Sequence, residues 1–275
     1  LALTAAMCLA VLAGCTRPGG NKPSPSPNPS ESQGTNTNQP STTDPILIKI
    51  GHTDSSTRST HVWSVWIGEY LEEKAPGRFK VEVYPDGQAG DSPDMVAGVK
   101  LGTLTMEFDL SSVVSSVSGV ASSCIDLPFL YPTYEAWEKG TFENGGLELF
   151  NETLADSGYY CLGMYYNGMR QVISRNRCYH NADDLKGQKV RIAQDELNIE
   201  MWKAMGANPT AIGFNDLYLA LQTGTVDGQD NPLPTVKSAK FYEVQKSISL
   251  TNHLVDSVWP TINLNTWNKL TDTQK

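Results

Sequence analysis

The chain has little cysteine, few histidines and no surplus of positive charge. Five cysteines in 275 residues, with no CxxC spacing, exclude a disulfide scaffold. Four histidines, none spaced as metal ligands, give no zinc site. A formal net charge of -9 and a pI near 4.9 leave no broad basic surface for nucleic acid, so no nucleic-acid partner is expected. Catalytic motifs are missing too. Ser111, Ser112 and His61 stand in no nucleophile elbow or triad context, "GQAGD" lacks the flanks of a phosphate loop, and Asp183 and Asp184 read as a turn or helix start. No cofactor is implied, and an enzyme, such as a secreted α/β hydrolase or transferase, is a minor alternative.

The one apolar run lies at the front. "LALTAAMCLAVLAGC" ends in small residues before Cys15, as in a bacterial lipoprotein signal, and is shorter than the roughly 20 residues needed to span a bilayer. Residues 1–14 are accordingly expected to be removed and Cys15 to carry lipid, the competing view being a fragment of a membrane helix. Residues 15–45 are rich in Pro, Ser and Asn and nearly free of apolar side chains. They are expected to form a disordered tether holding the folded part off the membrane, on its extracytoplasmic side. Both ends read as truncated: no start methionine precedes Leu1, and "LTDTQK" reads as a helix beginning, so a helical carboxyl-terminal part is expected beyond it.

From Ile46 strand and helix signals alternate. "ILIKIGHT", "FKVEVYPDG" and "TLTMEFDL" read as strands around two helices. The first helix shows an apolar face through Val62, Val65, Trp66 and Tyr70. The second has Ser92 as N-cap, Pro93 in its first turn and Gly102 as its stop. After a long strand-like segment, 159–175, a second α/β run follows: "KVRIA", the helix "DELNIEMWKAMG", the helix "NDLYLALQTG" with Asn215 as cap, and "TVDGQ". The fold class is α/β, two lobes each with a sheet flanked by helices, and the long segment crosses between them. Residues 46–167 with 257–275 are assigned to lobe I and 168–256 to lobe II. Trp63, Trp66 and Trp137 are expected in the core. Cys124, Cys161 and Cys178 are expected as buried thiols, a Cys161–Cys178 bridge being the alternative.

In "KVRIA", period 2 turns Arg191 away from Val190 and Ile192, at the carboxyl end of a strand where ligands of such sheets bind. A guanidinium there suits a carboxylate, to which it offers two parallel donors. An ordinary ion pair with Asp195 is the alternative.

The stretches "GHTDSSTRSTHVWSVWIGEYLEEKAPGRFKVEVYPDGQAGD", "DLPFLYPTYEAW", "NGMRQVISRNR", "ADDLKGQKVRIA" and "MGANPTAIGFNDLYLALQTGTVDGQDNPL" resemble, in order and spacing, the dicarboxylate-binding type of solute-binding subunit of tripartite ATP-independent periplasmic transporters. The resemblance implies a two-lobed periplasmic-binding-protein fold of type II, no enzymatic activity, and capture of a small organic acid for an ion-gradient-driven membrane permease. The acid would be a C4-dicarboxylate, a sugar acid or a keto acid. A sensor lipoprotein of the same fold is an alternative. The resemblance further implies Arg191 as carboxylate clamp, Arg170 as a second ligand-facing arginine, Asn231 as an amide beside the carboxylate and Phe214 as an aromatic against the carbon skeleton. Asp94 and Thr53 are first-lobe candidates, Asp94 for substrate hydroxyls, although "GDSPD" departs from the family's usual run there. The protein is expected to act as a monomer.

Overall fold

The computed structural model describes residues 44–118 and 124–275. The signal, Cys15 and the tether as far as residue 43 lie outside the described residues.

Nine strands form one continuous sheet in the order β2-β1-β3-β9-β5-β8-β6-β7, with β4 pairing β9 off this path. On one side β1 (Ile46–Gly51) lies parallel to β2 (Phe79–Tyr84) and β3 (Met106–Leu110). On the other side β6 (Lys189–Ile192) lies parallel to β7 (Asn208–Ala211) and β8 (Gly228–Pro232). Two long antiparallel strands, β5 (Tyr165–Ser174) and β9 (Ser247–Asn263), join the halves. The expected crossing segment is thus β5 preceded by the short β4 (Tyr159–Cys161). The 17 residues of β9 let it pair β3 and β4 at one end and run along β5 at the other.

Helices cover both halves. On the first are α1 (Ser59–Lys74), α2 (Ser92–Leu101), α3 (Ser111–Ser118), α4 (Tyr134–Glu138), α5 (Gly146–Ala155) and, after β9, α9 (Leu264–Lys269). On the second are α6 (Glu196–Ala204), α7 (Phe214–Thr223) and α8 (Leu233–Ser238). Each half has an apolar cluster on each sheet face: Met95, Val99, Trp137 and Trp259 against Ile48, Ile50, Phe79 and Val258 in the first, and Val190, Ile192 and Trp202 against Ile173, Leu217 and Phe241 in the second.

The α1 face is the reverse of the expected one. Val62, Val65, Trp66 and Tyr70 are exposed, while Thr60 and Ser64 are buried and Ile67 and Leu71 pack on the sheet. Polar side chains can sit on the buried face because each is satisfied there: Ser64 donates to the Thr60 carbonyl, and Thr60 bonds Asp54 and Tyr165. Gly68, next to Val81, lets the helix approach β2 closely. Trp63 and Trp66 are therefore 50% and 45% exposed, whereas Trp137 is buried as expected. Of the three cysteines only Cys161 is buried, and all three are free, so the 161–178 bridge is not formed.

Smaller corrections concern helix ends. Asp91, not Ser92, caps α2, its side chain accepting from the Ser92 N–H. The cap of α7 is Gly213, and Asn215 lies in the first turn. The stop at Gly102 holds, and Gly224 ends α7 in the same way, both adopting the left-handed conformation that favours glycine. Residues 272–274 form a turn rather than a helix.

Candidate functional site

The carboxyl ends of the parallel strands of both halves converge on one cleft. From the first half come Thr53 and Asp54 after β1, Asp91 and Ser92 at the start of α2, and Asp109 at the end of β3. From the second come Arg191 at the end of β6, Gly213 and Phe214 where α7 opens, and Asn231 on β8. The halves touch across it: a β-carbon at Gly213 would lie 1.9 Å from Asp91 Oδ2, and one at Gly87 2.4 Å from Asn215 Nδ2.

Arg191 is 3% exposed, yet the only hydrogen bond of its side chain among the described residues runs from Nε–H to the Ile212 carbonyl, at 2.8 Å. No carboxylate of the described residues lies within ion-pairing distance. Asp195 instead caps α6, accepting from the Asn198 N–H at 3.0 Å. Burial, reinforced by repulsion from Arg170, pushes the Arg191 guanidinium down to about 10, with Asp230 and Asp91 pulling the other way. Val190 and Ile192 sit together in the apolar cluster of α6, so the alternation inferred from the sequence is the one that turns Arg191 to the other face.

Arg170 is placed differently. It does not line the cleft, and its guanidinium is already paired with two carboxylates. Nε and Nη2 grip both carboxylate oxygens of Asp230, at 2.8 and 3.2 Å, and Nη1 bonds Asp256. Asp230 also meets His253 Nε2 at 3.2 Å. Burial alone would raise the Asp230 carboxyl, but Arg170 and His253 outweigh it and hold the group well below the usual carboxylate range. Arg170 is thus a fixed counter-charge where the two long strands cross, behind the cleft wall that includes Asp256.

Of the other expected residues, Thr53, Phe214 and Asn231 line the cleft beside Arg191, and Asp94 does not. Asp94 lies in the first turn of α2 and lines a separate surface depression with Lys49 and Tyr84. Phe214 meets Phe241 edge to face, with centroids 5.9 Å apart. Asn231 gives one amide N–H to Gln229, and its second amide N–H has no partner among the described residues.

Sequence reasoning missed the aspartates. Asp54, Asp91 and Asp109 come from three separate places in the chain, but "MEFDL" carries a signal: period 2 puts Glu107 and Asp109 on one face, opposite Met106 and Phe108. Both acids are buried. Burial pushes Asp109 up to about 7, against the opposing pull of the Ser92 side chain and the Leu110 N–H and with added repulsion from Asp91 and Asp54, and its Oδ2 is left without a well-formed hydrogen bond. Glu107, deeper in the sheet, accepts from the Thr261 hydroxyl at 2.6 Å and is raised well above the usual range by burial and then by Asp109. Among the described residues no acid, histidine or cysteine cluster is arranged to hold a metal ion, and no helix is long and apolar enough to cross a membrane.

An α/β protein whose two half-sheets are joined by crossing strands, with a polar cleft at the strand ends and a buried unpaired cation inside it, has the architecture of an extracytoplasmic solute-binding protein. The model of the family described as "Bacterial extracellular solute-binding protein, family 7" matches residues 50–275, and the chain belongs to that family. It is 35% identical over 212 residues to the sialic acid-binding periplasmic protein of Vibrio cholerae, covering 76% of this chain and 64% of that one. It is 33% identical to the 2,3-diketo-L-gulonate-binding periplasmic protein of Escherichia coli, covering 78% and 65%. Among solved structures, a periplasmic solute-binding protein of a tripartite ATP-independent transporter from Polaromonas, bound to D-erythronate, superimposes with a TM-score of 0.79 at 29% identity, over 83% of this chain and 75% of that one. The chain thus spans just under two thirds of the length of the two curated relatives and three quarters of the solved one.

Proposed function

We propose that the protein captures a small organic acid outside the cytoplasmic membrane, grips its carboxylate with Arg191 and delivers it to the membrane subunits of a tripartite ATP-independent permease. The carrying observation is the buried Arg191 guanidinium, which lines the cleft with no carboxylate against it. An ionised group in a water-poor space is costly unless paired, so such a site favours an anion. The spare amide N–H of Asn231 and the opening turn of α7, whose cap supplies no side-chain acceptor, add donors of the same polarity. Phe214 offers an apolar surface to the carbon chain.

On this reading Arg170 supports rather than touches the ligand. The half-sheets act as the two lobes, 46–167 with 257–275 and 168–256, and β5 and β9 form the connection about which they close. Lipid on Cys15 and the tether keep the protein, a monomer, near its permease. The relatives are named for, or bound to, carboxylic acids, which agrees with a carboxylate clamp.

The test is a thermal-shift screen of organic acids followed by calorimetry. A ligand at 100 times its dissociation constant stabilises the folded state by about 2.7 kcal/mol. One-to-one binding with the acid recovered unchanged is expected, and chemical conversion of the acid would refute the reading.

A further inference from the structure

We infer that the ligand carries one carboxylate and several hydroxyls, a polyhydroxy monoacid, and that the wall facing Arg191 rejects a second carboxylate. The inference rests on the proposal that Arg191 holds the acid group.

The charges lining the cleft carry the argument. Arg191 is the one cation among the lining residues, against four carboxylates: Asp54, Asp91, Asp109 and Asp256. Two of the four have their own counter-charge, Asp54 in Arg58 at 3.5 Å and Asp256 in Arg170. Asp91 and Asp109 have none among the described residues. Asp91 spends one oxygen on the Ser92 N–H and turns the other toward Gly213 across the cleft. Asp109 spends Oδ1 on the Leu110 N–H, at 2.7 Å, and leaves Oδ2 buried without a well-formed hydrogen bond, the Ser92 side chain being the neighbour that favours its ionised form.

An ionised carboxylate only accepts hydrogen bonds, so an orphaned one lining a cleft calls for a donor. A ligand's second carboxylate brings no donor and adds a like charge to a site where Asp91 and Asp54 already repel Asp109. Two cations, in contrast, are what a dicarboxylate clamp requires, and the second candidate, Arg170, is occupied by Asp230 and Asp256. Hydroxyls fit better than a single ammonium because the acceptors are spread over three elements, with the Thr53 and Ser92 hydroxyls among them. That spacing suits donors distributed along a carbon chain.

Calorimetry of the full chain at about pH 7.5 tests this with four sets of compounds: sugar monoacids of four to nine carbons, fatty acids of four to six carbons, succinate through adipate with their hydroxylated diacid counterparts, and α-amino acids. The expected result is at least one sugar monoacid bound about 30-fold or more tighter than every member of the other sets. A diacid or amino acid bound as tightly as the best sugar acid overturns the inference and leaves the Arg191 clamp standing. Failure of every carboxylate to bind overturns both. Asp91→Asn and Asp109→Asn, tested singly, should weaken the sugar acid and tighten succinate or glutarate, narrowing the gap about tenfold or more. A loss equal for both ligand classes would mean that these aspartates only hold the fold, and would also overturn the inference.

Discussion

Arg191→Met separates what the arginine costs the empty protein from what it gives the complex. Moving the guanidinium from its ordinary 12.5 down to about 10 corresponds to about 3 kcal/mol of penalty on the buried charge. Methionine has a similar reach and no charge. It forfeits the Nε bond to Ile212, worth about 1 kcal/mol. The net change in the empty protein is thus a gain of up to about 2 kcal/mol in the closed arrangement, falling toward zero as water enters an opening cleft. For a domain of this size about 1 kcal/mol moves Tm by roughly 2–4 °C, so the ligand-free variant should melt between the wild-type temperature and about 8 °C above it. Binding should move the opposite way. Removing one partner of a hydrogen-bonded charge pair costs about 2–5 kcal/mol, or about 30-fold to several thousandfold in affinity. Thermal unfolding with and without the acid, and calorimetry, read both arms. Arg191→Lys, which keeps the charge and loses the fork, should fall between. Affinity within about threefold of wild type would refute the clamp. A ligand-free Tm lowered by more than about 4 °C would instead make Arg191 a structural ion.

Three further outcomes are expected. Gly213→Ala, at a φ of -54° that alanine accepts, places a methyl 1.9 Å from Asp91 Oδ2 and should hold the halves apart. Overpacking of this kind costs about 1–3 kcal/mol, so affinity should fall by roughly 5- to 100-fold with Tm little changed; unaltered affinity would show that this contact is not part of closure. The Glu107 carboxyl is raised in the fold, so its contribution to stability is complete below its unfolded value of about 4.3 and is lost as pH climbs through the raised value. Glu107→Gln should therefore be more heat-stable than wild type at about pH 8, with the difference closing by about pH 5; a constant difference across that range would refute the buried acid. Cys15→Ser should move the protein from the membrane fraction to the soluble one without changing ligand affinity, and continued membrane association would sink the lipid anchor.

What was legible in the sequence was local. Arg191 stood out because period 2 in a four-residue strand puts it against its β-branched neighbours, and the capping residues around α2 and α7 fixed those helices to within a residue or two. What was hidden is non-local. Asp230 and Asp256 lie 60 and 86 residues from Arg170, so nothing near "NGMRQ" discloses that its arginine is already paired. The α1 helix misled for a different reason: it carries two stripes at helical spacing, an aromatic one through Trp63, Trp66 and Tyr70 and a mixed one through Thr60, Ser64, Ile67 and Leu71. Close approach to β2 over Gly68 selected the second. The four aspartates of the cleft come from four chain positions that only the sheet brings together. Asp109 alone had a readable sign, its alternation with Phe108.

A crystal structure of the protein with its best-binding acid tests the central claim most directly. The account predicts the ligand in the cleft between the half-sheets, its carboxylate on both terminal nitrogens of Arg191 at about 2.7–2.9 Å, and Arg170 still engaged with Asp230 and Asp256. A ligand seated elsewhere, or a carboxylate bound by Arg170 with Arg191 left unpaired, would contradict it.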